Sequence, residues 1–159
     1  MEIATADIWD EYHEELSLLN LELKTYGKKR SFSGEIVTLK VYEDNSLVRK
    51  TLEKPGEGKV LVIDGGGSKR CALIGDNIAK LIIENGWSGV ILYGCIRDSR
   101  QISTMDVSIK AVGTCPVKSI KRGVGIAGET LIINGTKIAQ GAYLYADEDG
   151  VLLSNNKLV

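Results

Sequence analysis

The chain has 159 residues, the length of one ordinary domain, and a net charge of −1 from 20 lysines and arginines against 21 aspartates and glutamates. This balance argues against a protein that coats nucleic acid, because phosphate binding needs a concentrated positive surface. No apolar run approaches the roughly 18–20 residues that cross a bilayer, and the acidic N-terminus does not resemble a signal peptide. We therefore expect one cytoplasmic domain over residues 1–159, without direct nucleic-acid or membrane partners.

The histidine and cysteine counts narrow the chemistry further. The single histidine, His13, rules out a three-histidine zinc site and a two-histidine iron site within one subunit. Any metal should therefore bind through oxygen atoms, which favours Mg²⁺ or Mn²⁺. Cys71, Cys95 and Cys115 show no CxxC spacing, so we expect reduced thiols. Cys95 lies close to Arg97 in sequence, but we interpret it as a small buried side chain and not as a catalytic thiol.

The N-terminal third predicts three elements. Residues 5–19 predict an amphipathic helix that begins near Thr5 or Asp7. Ser33–Tyr42 is rich in β-branched residues with partial alternation, which indicates a strand. Leu47–Leu52 predicts a short helix.

A strand–helix–strand unit follows. Val60–Ile63 is a short apolar run that ends in an aspartate and three glycines, and Gly89–Tyr93 is a second such run closed by a glycine. Between them, apolar residues recur at helical spacing from Asp76 until Gly86. A helical crossover makes the two strands parallel, so the start of the helix and the ends of both strands share one edge of the sheet. Open α/β sheets bind ligands at that edge.

The second half of the chain is predicted to be mostly β. After a loop or turn at Ile102–Met105, Asn134-Gly135 gives the strongest two-residue hairpin signal. Asp149-Gly150 predicts another turn. The strands expected here are Ser108–Gly113, Val117–Ile120, Leu131–Ile133, Lys137–Ala139, Tyr143–Ala146 and Val151–Leu153. The whole pattern predicts a mixed α/β domain with a parallel pair near its centre and few helices.

Three short motifs suggest functions that their surroundings do not support. Gly123–Gly128 matches GxGxxG, but β-branched residues follow it where a dinucleotide fingerprint opens a helix. Asp64–Gly67 resembles a methyltransferase glycine loop, but the next predicted strand ends at Tyr93-Gly94 without a ribose-binding carboxylate. Asp147–Gly150 resembles the start of a calcium loop and lacks the closing glutamate, so we interpret it as a turn.

The candidate site combines Asp76 with Arg97-Asp98, which follow it after a gap of 20 residues. Taken alone, Asp76 could simply stabilise a helix start, and Arg97-Asp98 could be a surface pair. Together at one edge, the unpaired N–H groups of Asn77 and Ile78 would hold a carboxylate and Arg97 would bind an anion. Asp98 would supply an oxygen ligand to a divalent cation. This combination suits a small 2-oxo acid that chelates a metal.

Several segments resemble one known family: Leu61–Ser68, Asp76–Asp98 with Tyr93-Gly94, Leu144–Gly150, and the shorter Phe32–Gly34 and Tyr42–Asn45. Through them the chain resembles the regulator of ribonuclease E activity A (RraA) family and the related class II 4-hydroxy-4-methyl-2-oxoglutarate aldolases. The resemblance implies a three-layer β/β/α domain, similar to swivelling phosphohistidine domains. It also implies a ring-shaped homotrimer with active sites at subunit interfaces.

The resemblance also implies roles for individual residues. The aspartate, the 20-residue gap and the Arg-Asp pair of the working aldolases are present as Asp76, Arg97 and Asp98. By analogy, residues Gly75–Ile78 (Gly75, Asp76, Asn77 and Ile78) bind the substrate carboxylate, Arg97 binds the keto oxygen, and Asp98 binds Mg²⁺ or Mn²⁺. Longer aldolases carry a C-terminal extension that reaches a neighbouring subunit, whereas this sequence ends at Val159. We therefore do not expect that contribution here.

These roles predict retro-aldol cleavage to two pyruvates, with decarboxylation of oxaloacetate as a side activity. Arg97 would stabilise the enolate oxygen, and a water held by Asp76 is one candidate for the base. The alternative hypothesis is a protein that binds and inhibits ribonuclease E without catalysis. A third, demethylmenaquinone methyltransferase activity, is disfavoured by the missing ribose-binding acid.

Overall fold

Four parallel strands form the centre of the main sheet. In the computed structural model, which describes residues 2–159, these strands are β3 (Phe32–Lys40), β4 (Val60–Asp64), β6 (Gly89–Ile96) and β7 (Ile109–Thr114), in that spatial order. The two inner strands, β4 and β6, consist of near-continuous apolar runs, which are typical of parallel strands covered on both faces. The predicted parallel arrangement is therefore confirmed and extends to four strands.

Three helices cover one face of this parallel sheet. They are α2 (Ser46–Leu52), α3 (Asp76–Glu84) and the single turn α4 (Ser99–Ile102). Each lies between two strands that run parallel, as a crossover connection requires. Leu61 and Ile63 of β4 pack on this side, in one core with Ile82 of α3. The short helix predicted at Leu47–Leu52 is confirmed.

Antiparallel strands cover the opposite face. On that side β11 (Tyr143–Asp147) pairs with β3, β12 (Gly150–Ser154) pairs with β11, and β1 (Leu16–Leu18) lies at the edge. A separate hairpin, β9 (Leu131–Ile133) with β10 (Thr136–Ile138), contributes to the same core. The protein is thus a sheet-rich α/β fold with few helices, and the predicted β/β/α layering is confirmed.

The helix predicted over residues 5–19 is wrong beyond its first two turns. The helix α1 (Thr5–Tyr12) is followed by a 3₁₀ turn, His13–Glu15, and then by β1, whose residues pair with β12. Leucines in this segment fit either period, and pairing with a strand more than 130 residues away decides the outcome. Ala4 occupies the cap position, and Thr5 instead donates from its N–H and hydroxyl to the buried carboxylate of Asp147, at 2.7 and 2.6 Å.

Two strand predictions also needed correction. The strand predicted at Gly89–Tyr93 runs on to Ile96, because Gly94 lies within a register shift between Leu92 and Cys95 and does not end the strand. The strand predicted at Val117–Ile120 is absent, and only Lys118 makes an isolated bridge, to Ala72. Val117 and Ile120 are more than half exposed, so no core packing holds this segment in a strand.

Four short elements were not predicted as such. The strands β2 (Lys24–Tyr26), β5 (Ala72–Ile74) and β8 (Ile126–Ala127) contain only two or three residues each, and α4 replaces part of a predicted loop. The Asn134-Gly135 hairpin is confirmed, with φ values of 49° and 81° at its two central residues. Within residues 2–159, no helix has the length and apolar character required to cross a membrane.

Candidate active site at the ends of the parallel strands

The unpredicted strand β5 brings the candidate residues together. It pairs in parallel with the end of β6, with Ile74 opposite Ile96, and the N–H of Arg97 donates to the carbonyl of Ile74 at 2.9 Å. Residues that follow the two strands must therefore lie side by side. The predicted convergence of Asp76 with Arg97-Asp98 is confirmed as geometry, while the roles of these residues stay predictions.

A direct contact joins the two segments. The carboxylate Oδ2 of Asp98 accepts a hydrogen bond from the backbone N–H of Asp76 at 3.1 Å, at the start of α3. The cap residue, Gly75, has no side chain to fill that place, so a carboxylate from another element caps the helix. The first donor that bonds within the helix is the N–H of Ala79, which leaves the N–H groups of Asn77 and Ile78 without an intrahelical acceptor.

Asp98 adopts a backbone conformation that costs energy. Its φ and ψ of 56° and 36° lie in the left-handed region, which non-glycine residues seldom occupy. Such a conformation persists where the surroundings hold it in place, commonly at functional sites. Here the bond from Arg97 to β5 on one side and the start of α4 on the other hold the residue.

Gly75 is needed because of the close approach of these groups. A Cβ atom at this position would lie 2.8 Å from Oδ2 of Asp98 and 3.4 Å from Nε of Arg97. The φ of −114° at Gly75 is accessible to any residue, so the constraint is steric and acts directly on the candidate site.

These groups surround a cavity of about 110 Å³. All six residues predicted to form the site line it, namely Gly75, Asp76, Asn77, Ile78, Arg97 and Asp98. The volume lies below the ~300 Å³ at which pockets for drug-sized ligands begin, so the cavity suits a small organic acid.

Five further residues on the cavity wall were not predicted: Asn45, Arg49, Ala72, Lys118 and Lys121. They come from the loop and helix after β3, from β5, and from the segment after β7. Because β3 and β7 run parallel to β6, their carboxyl ends meet at the same edge. The sequence does contain one sign of these wall residues, the basic cluster Lys118–Arg122. In isolation, however, such a cluster is typical of a solvated loop.

Asn45 has an unsatisfied polar atom on this wall. Its side-chain Nδ2 donates to the carbonyl of Leu73 at 3.2 Å, and its backbone N–H donates to the hydroxyl of Ser119. Its Oδ1 is buried and accepts no hydrogen bond. Buried polar atoms are nearly always paired, so this acceptor is suited to a donor that arrives with a ligand or a water.

The metal-ligand set at the site is small. Within residues 2–159, no group of three or more histidine, cysteine, aspartate or glutamate residues could hold a metal ion. The exposed carboxylate of Asp98 fits the way Mg²⁺ is held in many enzymes, by one or two carboxylates with water and substrate oxygens completing the shell. The donor chemistry thus fits a hard divalent cation.

Cys95 and His13 lie outside this cavity. Cys95 is 1% exposed, and its burial raises the pKa of its thiol, which opposes formation of a nucleophilic thiolate. This agrees with its prediction as a small buried side chain. His13 is exposed in the 3₁₀ turn after α1.

The three misleading motifs have structural explanations. The GxGxxG motif, which ends at Gly128, contains the short strand β8 and is followed by another strand and not by a helix. In the Asp64–Gly67 loop, a Cβ at Gly66 would meet the ring of Tyr42 at 2.8 Å, and one at Gly67 would meet the ring of Tyr93 at 2.8 Å. Asp147–Gly150 is the tight turn between β11 and β12, as predicted.

Comparison with known proteins gives relatives along the whole chain. The RraA-like family model, described as Aldolase/RraA, matches residues 5–153. A protein from Alkalilimnicola ehrlichii is 47% identical over 159 residues, which cover 100% of this chain and 99% of the relative. A protein from Aromatoleum aromaticum is 50% identical, with 100% of both chains covered. Both bear the name "Putative 4-hydroxy-4-methyl-2-oxoglutarate aldolase".

Two solved structures have nearly the same fold. One, described as an S-adenosylmethionine:2-dimethylmenaquinone methyltransferase from Geobacillus kaustophilus, has a TM-score of 0.96 and 49% identity, covering 98% of this chain and 97% of that one. The other, described as the RNA-processing inhibitor RraA from Thermus thermophilis, has a TM-score of 0.95 and 41% identity, covering 100% and 96%. The names of these similar proteins thus include three different functions.

Proposed function

Because the chain belongs to the RraA-like family of aldolases and RraA proteins, we propose that it is a metal-dependent lyase that cleaves 4-hydroxy-4-methyl-2-oxoglutarate into two pyruvates. Decarboxylation of oxaloacetate is proposed as its secondary activity. The observation that supports this most is the hydrogen bond between Asp98 and the start of α3, which places the carboxylate and Arg97 beside one small cavity.

The protein groups would divide the binding of the 2-oxo acid among them. The N–H groups of Asn77 and Ile78 face no acceptor within α3 and would bind the substrate carboxylate, assisted by the helix dipole. Arg97 would donate hydrogen bonds to the 2-oxo oxygen. Asp98 would hold Mg²⁺ or Mn²⁺, which when bound supplies a Lewis acid next to that oxygen.

Cleavage then requires movement of one proton and one electron pair. Asp76 would orient a water that takes the proton from the C4 hydroxyl, and the bond between C3 and C4 breaks. The electron pair moves to C3, which gives the enolate of one pyruvate, while C4 becomes the carbonyl carbon of the other. Arg97 stabilises the enolate oxygen, and protonation at C3 completes the reaction. Loss of CO₂ from oxaloacetate passes through the same enolate.

Turnover of oxaloacetate and of 4-hydroxy-4-methyl-2-oxoglutarate tests this proposal. We expect turnover with Mg²⁺ or Mn²⁺, loss of turnover with a chelator, and recovery when the metal is restored. Arg97→Ala should lower kcat by about 10²–10³, the usual effect of removing one such donor. Arg100→Ala, which removes an exposed arginine of α4 outside the cavity, is the matched control and should have little effect. Full turnover by a folded Arg97→Ala variant would refute the assigned role.

A homotrimer is part of the proposal. Exposed apolar side chains flank the lysine-bearing segment of the cavity wall, including Val117, Ile120 and Val124, and burial of such side chains commonly stabilises subunit contacts. Sedimentation analysis should give three times the chain mass of 17.3 kDa. A monomer at micromolar concentration would contradict this part.

Inhibition of ribonuclease E is the second candidate function, favoured by the similarity to the RraA structure from Thermus thermophilis. It would use an exposed protein-binding surface and would need no metal. Purified chain added to ribonuclease E should slow RNA cleavage if this function is present. Arg97→Ala should leave that effect intact, which separates it from catalysis.

Methyltransferase activity is not proposed, although one structural neighbour is described in those terms. The predicted strand does not end at Tyr93-Gly94, because β6 extends to Ile96, and a carboxylate, Asp98, follows it. That carboxylate caps α3, however, and the glycine loop packs against the rings of Tyr42 and Tyr93. Calorimetric titration with S-adenosylmethionine should show no binding, and heat of binding would revive this function.

A further inference from the structure

The cavity wall carries more positive charge than the proposed reaction uses. Asp76 and Asp98 supply its two carboxylates, and the cationic side chains are those of Arg49, Arg97, Lys118 and Lys121. In the proposed reaction, one substrate carboxylate binds at the start of α3, and the 2-oxo oxygen binds to Arg97. Three cationic side chains on the wall remain without an assigned ligand.

We propose that Lys118 and Lys121, with Arg49, form a second anion subsite that binds the distal carboxylate of the substrate and makes the site selective for 2-oxo dicarboxylates. This inference rests on the proposed function and assigns recognition of the second carboxylate to residues outside the Asp76, Arg97 and Asp98 constellation.

The two lysines have no carboxylate partner of their own. The ion pairs formed within residues 2–159 join Arg30 to Glu148, Arg49 to Glu53 and Arg70 to Glu43. The pair of Arg49 is long, at 3.7 Å, and both its side chains are about half exposed, so it holds Arg49 only weakly. An arriving carboxylate would therefore meet lysines that need not first release another anion.

The backbone that carries the lysines is firmly held. The N–H of Ala72 donates to the carbonyl of Val117 at 2.7 Å, and the N–H of Ile120 donates to that of Glu43 at 3.3 Å. The buried carboxylate of Asp44 accepts from the N–H groups of Arg122 and Val124 at 2.9 and 3.1 Å. The segment is thus fixed on both sides of the lysines, which lowers the entropy lost when they bind a ligand.

The lysines and the start of α3 come from different segments of the same cavity wall. The cavity of about 110 Å³ is small, and Lys118 and Lys121 are exposed side chains on its wall. A 2-oxo acid whose first carboxylate lies at α3 would extend its remaining atoms away from the helix start. Lysine ammonium groups on flexible stems can follow the far carboxylate, and the first carboxylate stays at the fixed helix end.

A pair of non-reacting ligands isolates this subsite. 2-Oxoglutarate has both carboxylates and 2-oxobutyrate lacks the second, so their affinities differ through the distal group. In calorimetric titrations with Mg²⁺ present, the native chain should bind 2-oxoglutarate more tightly. The double variant Lys118→Gln, Lys121→Gln should weaken binding of 2-oxoglutarate about tenfold or more, since one hydrogen bond to a charged group contributes about one decade of affinity. Its binding of 2-oxobutyrate should fall much less.

A control variant and two contrary outcomes separate failure of the subsite from failure of the proposed function. The double variant Lys50→Gln, Lys80→Gln removes two exposed helical lysines outside the cavity and should bind both ligands like the native chain. If the native chain binds both ligands equally, or if the Lys118, Lys121 variant weakens both by the same factor, the subsite is refuted and the proposed function stands. If the native chain binds neither ligand and exchanges no methyl protons of pyruvate in D₂O, the proposed function is refuted, and this inference with it.

Discussion

Adding a single methyl group at Gly75 should separate activity from stability. In Gly75→Ala the new Cβ would lie 2.8 Å from Oδ2 of Asp98, closer than non-bonded atoms approach. The φ of −114° needs no glycine, and the nearest atom belongs to a side chain that can move. We therefore expect the backbone to stay in place and the carboxylate of Asp98 to be displaced, with loss of its 3.1 Å bond to Asp76.

Two effects on stability oppose each other. Loss of the cap on α3 costs about 0.5–1 kcal/mol at an exposed site. Alanine in place of glycine at a compatible φ restricts the unfolded chain and returns about 0.4–1 kcal/mol. The free energy of unfolding should therefore change by less than about 1 kcal/mol. Activity should fall by about 10², because a displacement on the scale of 1 Å is enough to disturb a reacting geometry.

The assay is metal-dependent oxaloacetate decarboxylation beside urea unfolding of the same preparation. Gly113→Ala is the control, since Gly113 lies at the end of β7 and a Cβ there meets no atom within 4 Å. It should leave turnover unchanged and raise the free energy of unfolding by about 0.4–1 kcal/mol, because it restricts the unfolded chain and displaces nothing. Native turnover in Gly75→Ala, or a loss of several kcal/mol of stability, would refute the reasoning that the glycine serves the site and not the fold.

Three further variants test individual contacts of the fold. Burial alone would raise the pKa of Asp44, but bonds from Ser46, Val124 and Arg122 outweigh it and lower the pKa from 3.8 to about 2. The stabilisation from the Asp44 carboxylate is therefore full above pH 3.8 and is lost as the pH falls towards 2. Asp44→Asn should flatten that part of the acid unfolding curve. An unchanged curve would contradict this role of Asp44. Thr5→Ala removes the hydrogen bond from the Thr5 hydroxyl to Asp147. It should lower the free energy of unfolding by about 1 kcal/mol and speed amide exchange in α1. Native exchange rates in α1 would contradict this prediction. Gly135→Ala places a side chain at φ 81° in the hairpin turn and should cost about 1 kcal/mol in urea unfolding, a loss that Gly113→Ala should not show.

The sequence predicted those parts of the site that local pattern and chain direction determine. Helical spacing after Asp76 and a β-branched run before Arg97 defined a crossover, and a crossover places a helix start and a strand end at one edge. The contribution of β5 was missed because three residues, Ala72–Ile74, are too few to show a period. It is nevertheless this strand that joins the two halves of the site.

The rest of the cavity wall depends on the order of the strands in space. Asn45 and Lys118 reach the site because β3 and β7 flank the β4–β6 pair, and no local pattern states that order. The N-terminal segment failed for a related reason. Leu16 fits both a helical and a strand period, and the choice is made by Ser154 and its neighbours at the other end of the chain.

The left-handed backbone at Asp98 affects how its carboxylate can be studied. Alanine there would remove the charge and also raise the conformational cost, so two losses would be mixed in one measurement. Asparagine tolerates the left-handed region and has nearly the same shape, and therefore removes charge alone. Glycine would relax the strain while deleting the side chain. Comparing the three replacements would tell a chemist how much of any defect is electrostatic and how much is conformational.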